Sequence, residues 1–327
     1  MSTTVNNAFN DFQEKVVNLN KNKTEKARNS RDWLWKQLNR LDIKDNLYFP
    51  HKYEDKHIKF GSFARKTKIT PLDDIDLIFC LSACFSYYQQ SDKNTYTIHT
   101  ENANERLKKL SYNNILNSYR VVNKLKSALY NIEHYKSCDL HSHGEAVTLK
   151  LSSYDWNFDI VPSFYTETGF YLIPDGKGNW KATDPRIDQK LITDINQKNN
   201  NNLLQLIRTL KYWNRHNSSY TINSYLFEQF IINYTKQAYL SERIYYYIIC
   251  FFNYLSSNIY NEVLDPKGFQ GNINTLDHEQ KISISEKAKW AYNKAIEAYK
   301  AEIYEKNQEK AINKWREIFG SNFPKYE

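Results

Sequence analysis

Between residues 61 and 81 the chain joins a Gly-Ser turn to an apolar stretch that opens with two acids. The segment Asp74-Ile75-Asp76-Leu77-Ile78-Phe79-Cys80-Leu81 reads as a β-strand. Side chains alternate faces along a strand, so Asp74 and Asp76 point the same way. Two neighbouring carboxylates repel each other unless a cation lies between them. Hard oxygen ligands at this spacing suit Mg²⁺, which keeps several waters and completes its shell with substrate phosphates. Upstream, Gly61-Ser62 offers backbone N–H groups and a hydroxyl to such phosphates, and glycine lets the backbone come close. A phosphate cradle followed by a metal-binding acid pair predicts nucleotidyl transfer.

The chain is long enough for this chemistry to sit in a two-domain protein: it has 327 residues, 41% of them hydrophobic. It holds 26 Tyr but 8 Gly and 7 Pro, which argues against long flexible linkers and favours a helix-rich protein. The net charge of +8 suits polyanionic partners such as nucleotides, RNA or DNA, although a Lys-rich solvated surface explains it equally well. Cys80, Cys84, Cys138 and Cys250 form no CxxC pair and no disulfide framework. The first 21 residues are polar and unlike a signal peptide. The most apolar run, Ile244 to Leu255, is shorter than the roughly 20 residues needed to cross a bilayer. A cytoplasmic location with no membrane partner is expected.

Periodicity divides the chain. Residues 5–42 read as helical, with a break at 46–51 around Pro50 and a short strand from Lys56 to Phe60 leading into Gly61. Residues 86–97 read as a polar loop, and 102–134 as a helix built on Leu107, Leu110, Leu116, Val122, Leu125 and Leu129. Val147–Leu151 and Trp156–Val161 read as strands, and Gly169–Trp180 as a hairpin or loop. Beyond Pro185 the segments 186–197, 202–216, 222–240, 242–257 and 280–317 all read as helices. The predicted domains are therefore residues 1–185, with a long N-terminal helix, and an all-helical part at 186–327.

A two-metal transferase needs one more carboxylate beside the attacking hydroxyl. Asp159 is the candidate, because it alternates with Phe158 and Ile160 and so lies on the face opposite them. Asp155 falls on the same face four residues earlier and is a weaker competitor.

These pieces, in order, resemble one family. The run Gly61-Ser62-Phe63 through Asp74-Ile75-Asp76-Leu77 is followed by Phe158-Asp159-Ile160-Val161-Pro162. The segments Leu206-Ile207-Arg208, Lys211-Tyr212-Trp213-Asn214 and Ser224-Tyr225-Leu226-Phe227-Glu228 then complete the set. Together they resemble the bacterial cGAS/DncV-like nucleotidyltransferases (CD-NTases) of the polymerase-β-like superfamily, related to cGAS and oligoadenylate synthetase, over roughly residues 56–230. The resemblance implies an α+β fold, a polymerase-β-like nucleotidyltransferase core with a mixed sheet followed by an all-α helical domain, with the active site in the cleft between them. It implies that nucleoside triphosphates are joined into a cyclic di- or trinucleotide second messenger, with release of pyrophosphate. Two Mg²⁺ ions, replaceable by Mn²⁺, would be held by Asp74, Asp76 and Asp159. Lys211 would contact the donor triphosphate, and Ser224 and Tyr225 a phosphate and a base. Bacterial members usually serve antiphage (CBASS) defence, where the product acts on a separate effector protein. Some relatives also need an activating nucleic acid or a regulatory protein. The chain departs from many members at Lys66 and at Leu226-Phe227-Glu228, neither of which touches the metal ligands.

Other constellations carry less. Cys138-Asp139-Leu140-His141-Ser142-His143 gathers zinc-type ligands without a complementary pair and reads as a polar loop. His216 and His278 stand alone, and no Walker-type loop is present. Two further functions share the family's fold: a polymerase-like transferase acting on an RNA or protein acceptor, and a catalytically silent nucleotide or RNA sensor. The intact acids argue against silence.

Overall fold

The computed structural model describes residues 2–43, 48–217, 220–236 and 240–327. Parts of two expectations lie outside these residues: positions 46 and 47 of the break before Pro50, and 237–239 of the helix expected at 222–240.

The chain opens with α1 (Val5–Phe12), capped by the Thr4 hydroxyl, which accepts from the Asn7 N–H. A π-helical turn, Gln13–Val17, follows. Extended backbone at Asn18 ends it, so the single helix expected over 5–42 is interrupted before α2 (Lys21–Leu38). Then come β1 (Ile58–Phe60), the one-turn α3 (Gly61–Ala64) and β2 (Asp74–Leu81). After these lie β3 (Tyr87–Asp92), β4 (Thr95–His99), α4 (Glu105–Lys108), β5 (Ser111–Tyr112), β6 (Ile115–Leu116) and α5 (Ser118–Tyr130). The remaining strands are β7 (Asp139–His143), β8 (Ala146–Lys150), β9 (Asn157–Tyr165), β10 (Tyr171–Pro174) and β11 (Trp180–Thr183). The helices α6 (Pro185–Lys198), α7 (Leu203–Asn217), α8 (Ser224–Thr235), α9 (Tyr245–Asn258), α10 (His278–Ile303) and α11 (Gln308–Phe319) complete the chain.

Three expectations are corrected. Residues 86–97 form most of the β3–β4 hairpin rather than a loop. Tyr96 and Ile98 alternate inward along β4, but β3 is nearly all exposed and polar, which hides the strand pattern. The helix expected over 102–134 is confined to α4 and α5. Between them Asn113 and Asn114 take left-handed backbone, at φ 48° and 61°, and turn β5 back onto β6. The last helical segment is two helices, parted where Lys306 is left-handed (φ 51°) and Asn307 caps α11. Elsewhere β8, β9 and the β10–β11 hairpin lie where the sequence pattern puts them.

The chain divides into two compact units. One holds Lys21–Arg65 and Leu72–Gln189, and with them the sheet. Its described strands run in the order β1-β2-β9-β10-β11-β4-β6-β5, with β3 on β4 and the β7–β8 pair on β9. β2 and β9 pair in parallel and the other pairings are antiparallel, so the sheet is mixed. Ile75, Leu77, Phe79, Phe158 and Ile160 are buried on one face of the central pair.

The other unit holds the residues up to Asn20, Lys66–Pro71 and Lys190–Glu327. Its core includes Phe9, Phe12, Ile69, Trp213, Phe227, Phe252 and Trp315. Ala288, Ala291, Ala295, Ala298 and Ala301 are buried along α10, at steps of three and four residues. The single boundary expected near 185 does not express this division. The boundary between 189 and 190 falls inside α6, and two earlier segments pack with the late helices.

Candidate active site

The sheet register builds the site. Asp76 is the Cα partner of Asp159 on the parallel neighbour strand, and Asp74 is the partner of Asn157. Neighbouring strands lie about 4.8 Å apart, and residues in register on them share a face. Asp74, Asp76 and Asp159 therefore stand on one face, all half-buried. The same row continues through Phe60 on β1, opposite Asp76, and Thr148 on β8, opposite Asp159. The Thr148 hydroxyl donates to Asp159 Oδ1 at 2.6 Å. Further along this face Ile78, Cys80, Val161, Tyr171 and Ile173 form an apolar cluster, which separates the acids from the far end of the strands. Burial pushes the Cys80 thiol up to about 11, so it stays protonated and unreactive.

Gly61 is fixed by this row. Its backbone is left-handed (φ 73°), and a Cβ there would overlap Asp76 Oδ2 and lie 2.5 Å from Asp76 Cγ. Only glycine lets the turn approach the carboxylate so closely. Ser62 follows on the same helical turn, α3. Gly61, Ser62, Asp74, Asp76 and Asp159 thus all belong to the sheet-bearing unit.

The donor set has the chemistry of a hard divalent cation, since three carboxylates share one face of the β2–β9 pair. Among the described residues, however, no three or more His, Cys, Asp and Glu side chains are gathered closely enough to hold a metal ion by themselves.

Lys211, Ser224 and Tyr225 lie in the other unit. Lys211, on α7, is 7% exposed, and its Nζ lies 2.7 Å from Oε1 of Glu228, itself 1% exposed. Thr67 Oγ1 donates to the same oxygen at 2.9 Å. Ser224 is exposed at the start of α8, where the Asn223 side chain accepts from the Tyr225 N–H. The Tyr225 hydroxyl donates to Asp265 Oδ1 (3.1 Å) and accepts from Lys267 Nζ (2.5 Å).

The other sequence candidates resolve plainly. Asp155 precedes β9, is exposed, and pairs with Lys23 at 2.8 Å; that hydrogen bond lowers its carboxyl below the usual range. Within the Cys138–His143 segment, Asp139–His143 form strand β7 rather than a loop, and His141 pairs with Asp139 at 2.5 Å. His216 stacks on Tyr212 with ring centroids 3.9 Å apart. Thr148, Asp265 and Lys267 were not singled out by sequence, and Glu228 was noted only as part of the Ser224–Glu228 motif, not as the partner of Lys211. A Thr opposite an acid in a strand pair becomes visible only once the register is known. Asp265-Pro266-Lys267-Gly268 has the composition of a turn, which by itself points to local structure alone.

A mixed sheet that carries an Asp-x-Asp pair, a third in-register acid and a Gly-Ser turn is the arrangement that the resemblance to polymerase-β-like nucleotidyltransferases implies. Comparison with known proteins narrows this. The chain is 42% identical over its full length, and over all of the relative's length, to a probable cyclic nucleotide synthase of Bacillus cereus. It is 26% identical over 200 residues to a cyclic AMP-AMP-AMP synthase of an Acinetobacter species, covering 57% of this chain and 56% of that one. Its fold is similar to that of E. coli CdnC solved with ATP, with a TM-score of 0.73 and 19% identity over 99% of this chain and 100% of that one. CdnC in a complex with a HORMA protein gives a TM-score of 0.69 at 18% identity, over 97% of each chain. No protein-family model matches the chain. The chain belongs to the bacterial CD-NTases, the family of the cyclic nucleotide synthases.

Proposed function

We propose that this protein joins nucleoside triphosphates into a cyclic di- or trinucleotide. The observation that carries the reading is the in-register pair Asp76–Asp159 with Gly61 packed against Asp76. In each step a ribose hydroxyl of one nucleotide attacks the α-phosphorus of another. The bond to the β-phosphate oxygen breaks, pyrophosphate leaves, and the hydroxyl proton is released. Asp74, Asp76 and Asp159 would hold Mg²⁺, with Asp159 on the acceptor side and oriented by the Thr148 hydroxyl. Two Mg²⁺ ions, when bound, would neutralise charge on the attacking and leaving oxygens and acidify the hydroxyl. The backbone at Gly61-Ser62 takes the terminal phosphates, and Tyr225 offers a ring on which a base stacks.

ATP is the first substrate to try, because one relative is a cyclic AMP-AMP-AMP synthase and a protein of the same fold was solved with ATP. The HORMA complex of that protein supports a regulatory protein partner here. Antiphage defence through a separate effector follows from the family resemblance, whereas a cytoplasmic location rests on the cysteine pattern and the polar first residues. No helix among the described residues is long and apolar enough to cross a membrane.

The test is synthesis from labelled triphosphates with Mg²⁺ or Mn²⁺, resolved by thin-layer chromatography and mass spectrometry. Phosphatase-resistant cyclic product is expected, lost on chelation and in the variant Asp74→Asn/Asp76→Asn. A linear ladder, or label transferred to RNA or protein, would instead indicate a polymerase-like transferase. Synthesis retained in the double variant would remove the acid pair from the chemistry.

A further inference from the structure

Tyr225 is held by a loop that its own motif does not contain. The hydroxyl of Tyr225 donates to Asp265 Oδ1 at 3.1 Å and accepts from Lys267 Nζ at 2.5 Å. Lys267 Nζ is also 3.1 Å from Asp265 Oδ1, so the three groups close a ring of polar contacts. The side chain of Asp265 is 0% exposed and that of Lys267 is 6%. Burying an ion pair this fully is costly unless its remaining bonding capacity is used. It is used here. Asp265 Oδ1 also accepts from the Lys267 N–H at 3.2 Å, and Oδ2 from the N–H groups of Phe269 and Gln270 at 3.3 Å.

The backbone closes the same loop. The Gly268 N–H donates to the Asp265 carbonyl (2.9 Å), the Asp265 N–H to that of Gly271 (2.8 Å), and Ile273 to Val263 (2.8 Å). Lys267 Nζ also sits 4.1 Å from the centre of the Tyr225 ring. The ring is thus fixed twice, through its hydroxyl and through a cation–π contact.

We propose that Asp265 and Lys267 are positioning residues for nucleotide binding, which set the plane of the Tyr225 ring so that a nucleobase stacks on it. This rests on the reading of Tyr225 as a base-stacking residue. Stacking depends on the plane and offset of the ring, and a ring free to turn about χ1 and χ2 loses rotamer entropy on each binding event. A pre-set ring avoids that loss, so the clamp acts on triphosphate affinity and not on the chemical step.

The experiment uses the full chain, ATP as probe, steady-state synthesis, and melting temperature as a folding control. Asp265→Asn/Lys267→Met removes both charges together and leaves no buried ion alone. It is expected to raise KM for ATP by about three- to tenfold with kcat within twofold. Tyr225→Phe, which keeps the ring and drops the hydroxyl, should do the same. The combined variant should be no worse than either, since all act through one ring orientation. Additive effects, an unchanged KM, or a fall in kcat at constant KM would overturn the proposal. Should the double variant not fold, Tyr225→Phe decides alone, because a parental KM there means that the hydroxyl clamp does nothing. Tyr225→Ala separates the two levels. If it leaves KM unchanged, the stacking role itself fails; if it raises KM while the clamp variants do not, only the clamp fails.

Discussion

Gly61→Ala isolates the geometry of the acid row from its composition, because it leaves every carboxylate in place chemically. The new methyl would overlap Asp76 Oδ2 and lie 2.5 Å from Asp76 Cγ and 2.9 Å from its Cβ. Carbon atoms not bonded to each other come to about 3.5 Å. The carboxyl group or the turn must therefore shift by about 1 Å. Two costs add on the stability side. Alanine at φ 73° costs about 1 kcal/mol relative to glycine, and crowding adds about 1–3 kcal/mol. Melting should fall by several degrees, within reach of calorimetry.

The cost in activity is larger. A 1 Å misplacement at a reacting centre is worth about a hundredfold in rate, so cyclic product should drop by two orders of magnitude while most of the protein stays folded at 25 °C. Gly176→Ala is the control. It has the same sign and size of φ, 76°, but its Cβ would meet nothing nearer than Gly144 Cα at 3.5 Å. It should show the backbone cost alone and keep its synthesis rate. If Gly61→Ala makes product at more than half the parental rate, or if both glycine variants lose activity alike, the close packing of turn on carboxylate is not what the enzyme uses.

Thr148→Val removes the 2.6 Å hydrogen bond to Asp159. Such a bond to a carboxylate contributes about 1.5–3 kcal/mol to stability, so melting should fall by several degrees and synthesis by more than the loss of folded protein accounts for; an unchanged rate would free Asp159 from that constraint. Lys211→Met or Glu228→Gln alone strands a buried charge or hydrogen-bonding group of the 2.7 Å pair and should cost about 3–5 kcal/mol in urea unfolding, with Lys211→Met/Glu228→Leu recovering much of it; single variants as stable as the parent would mean that Lys211 is there for substrate and not for the fold. Burial pushes His57 down to about 4, and its Nδ1 accepts from the Cys80 N–H. The unfolded chain takes up this proton near 6.5, so the contribution of His57 is complete above that pH and is lost as pH falls towards 4. It amounts to about 3 kcal/mol at most, and His57→Gln should flatten the stability–pH curve over that window.

The acid row was legible because each part of it is local. Asp74 and Asp76 announce themselves by period two, and Asp159 by alternation with Phe158 and Ile160. Gly61 was legible as a turn, but its reason, the Asp76 carboxylate, was not. The groups that hold Lys211 and Tyr225 in place were hidden because their partners are distant in sequence. Glu228 meets Lys211 across 17 positions, and Lys267 meets Tyr225 across 42. The strand errors have the same origin. β3 and β5 are short or exposed strands whose stability comes from pairing, not from an apolar pattern of their own.

The segment Lys66–Pro71 shows why one cut cannot describe this chain. In sequence it sits between the Gly-Ser turn and the Asp-x-Asp strand, yet it packs with the helices. Ile69 is 4% exposed in their core, Thr67 caps the Lys211–Glu228 pair, and the Thr70 N–H donates to the Val17 carbonyl at 3.0 Å. Arg208 Nη1 donates to the Lys66 carbonyl at 2.8 Å. Four separate tethers on six residues are more than a linker needs. Glu228 therefore does two things at once: it neutralises Lys211 and accepts from Thr67 through the same oxygen. A cation committed in this way is an internal strut in the structure described here. For Lys211 also to meet a triphosphate, the phosphate must compete with a carboxylate that is already desolvated and at hydrogen-bond distance. A triphosphate bound at Lys211 would therefore have to break the Thr67–Glu228–Lys211 network that ties the helical unit together.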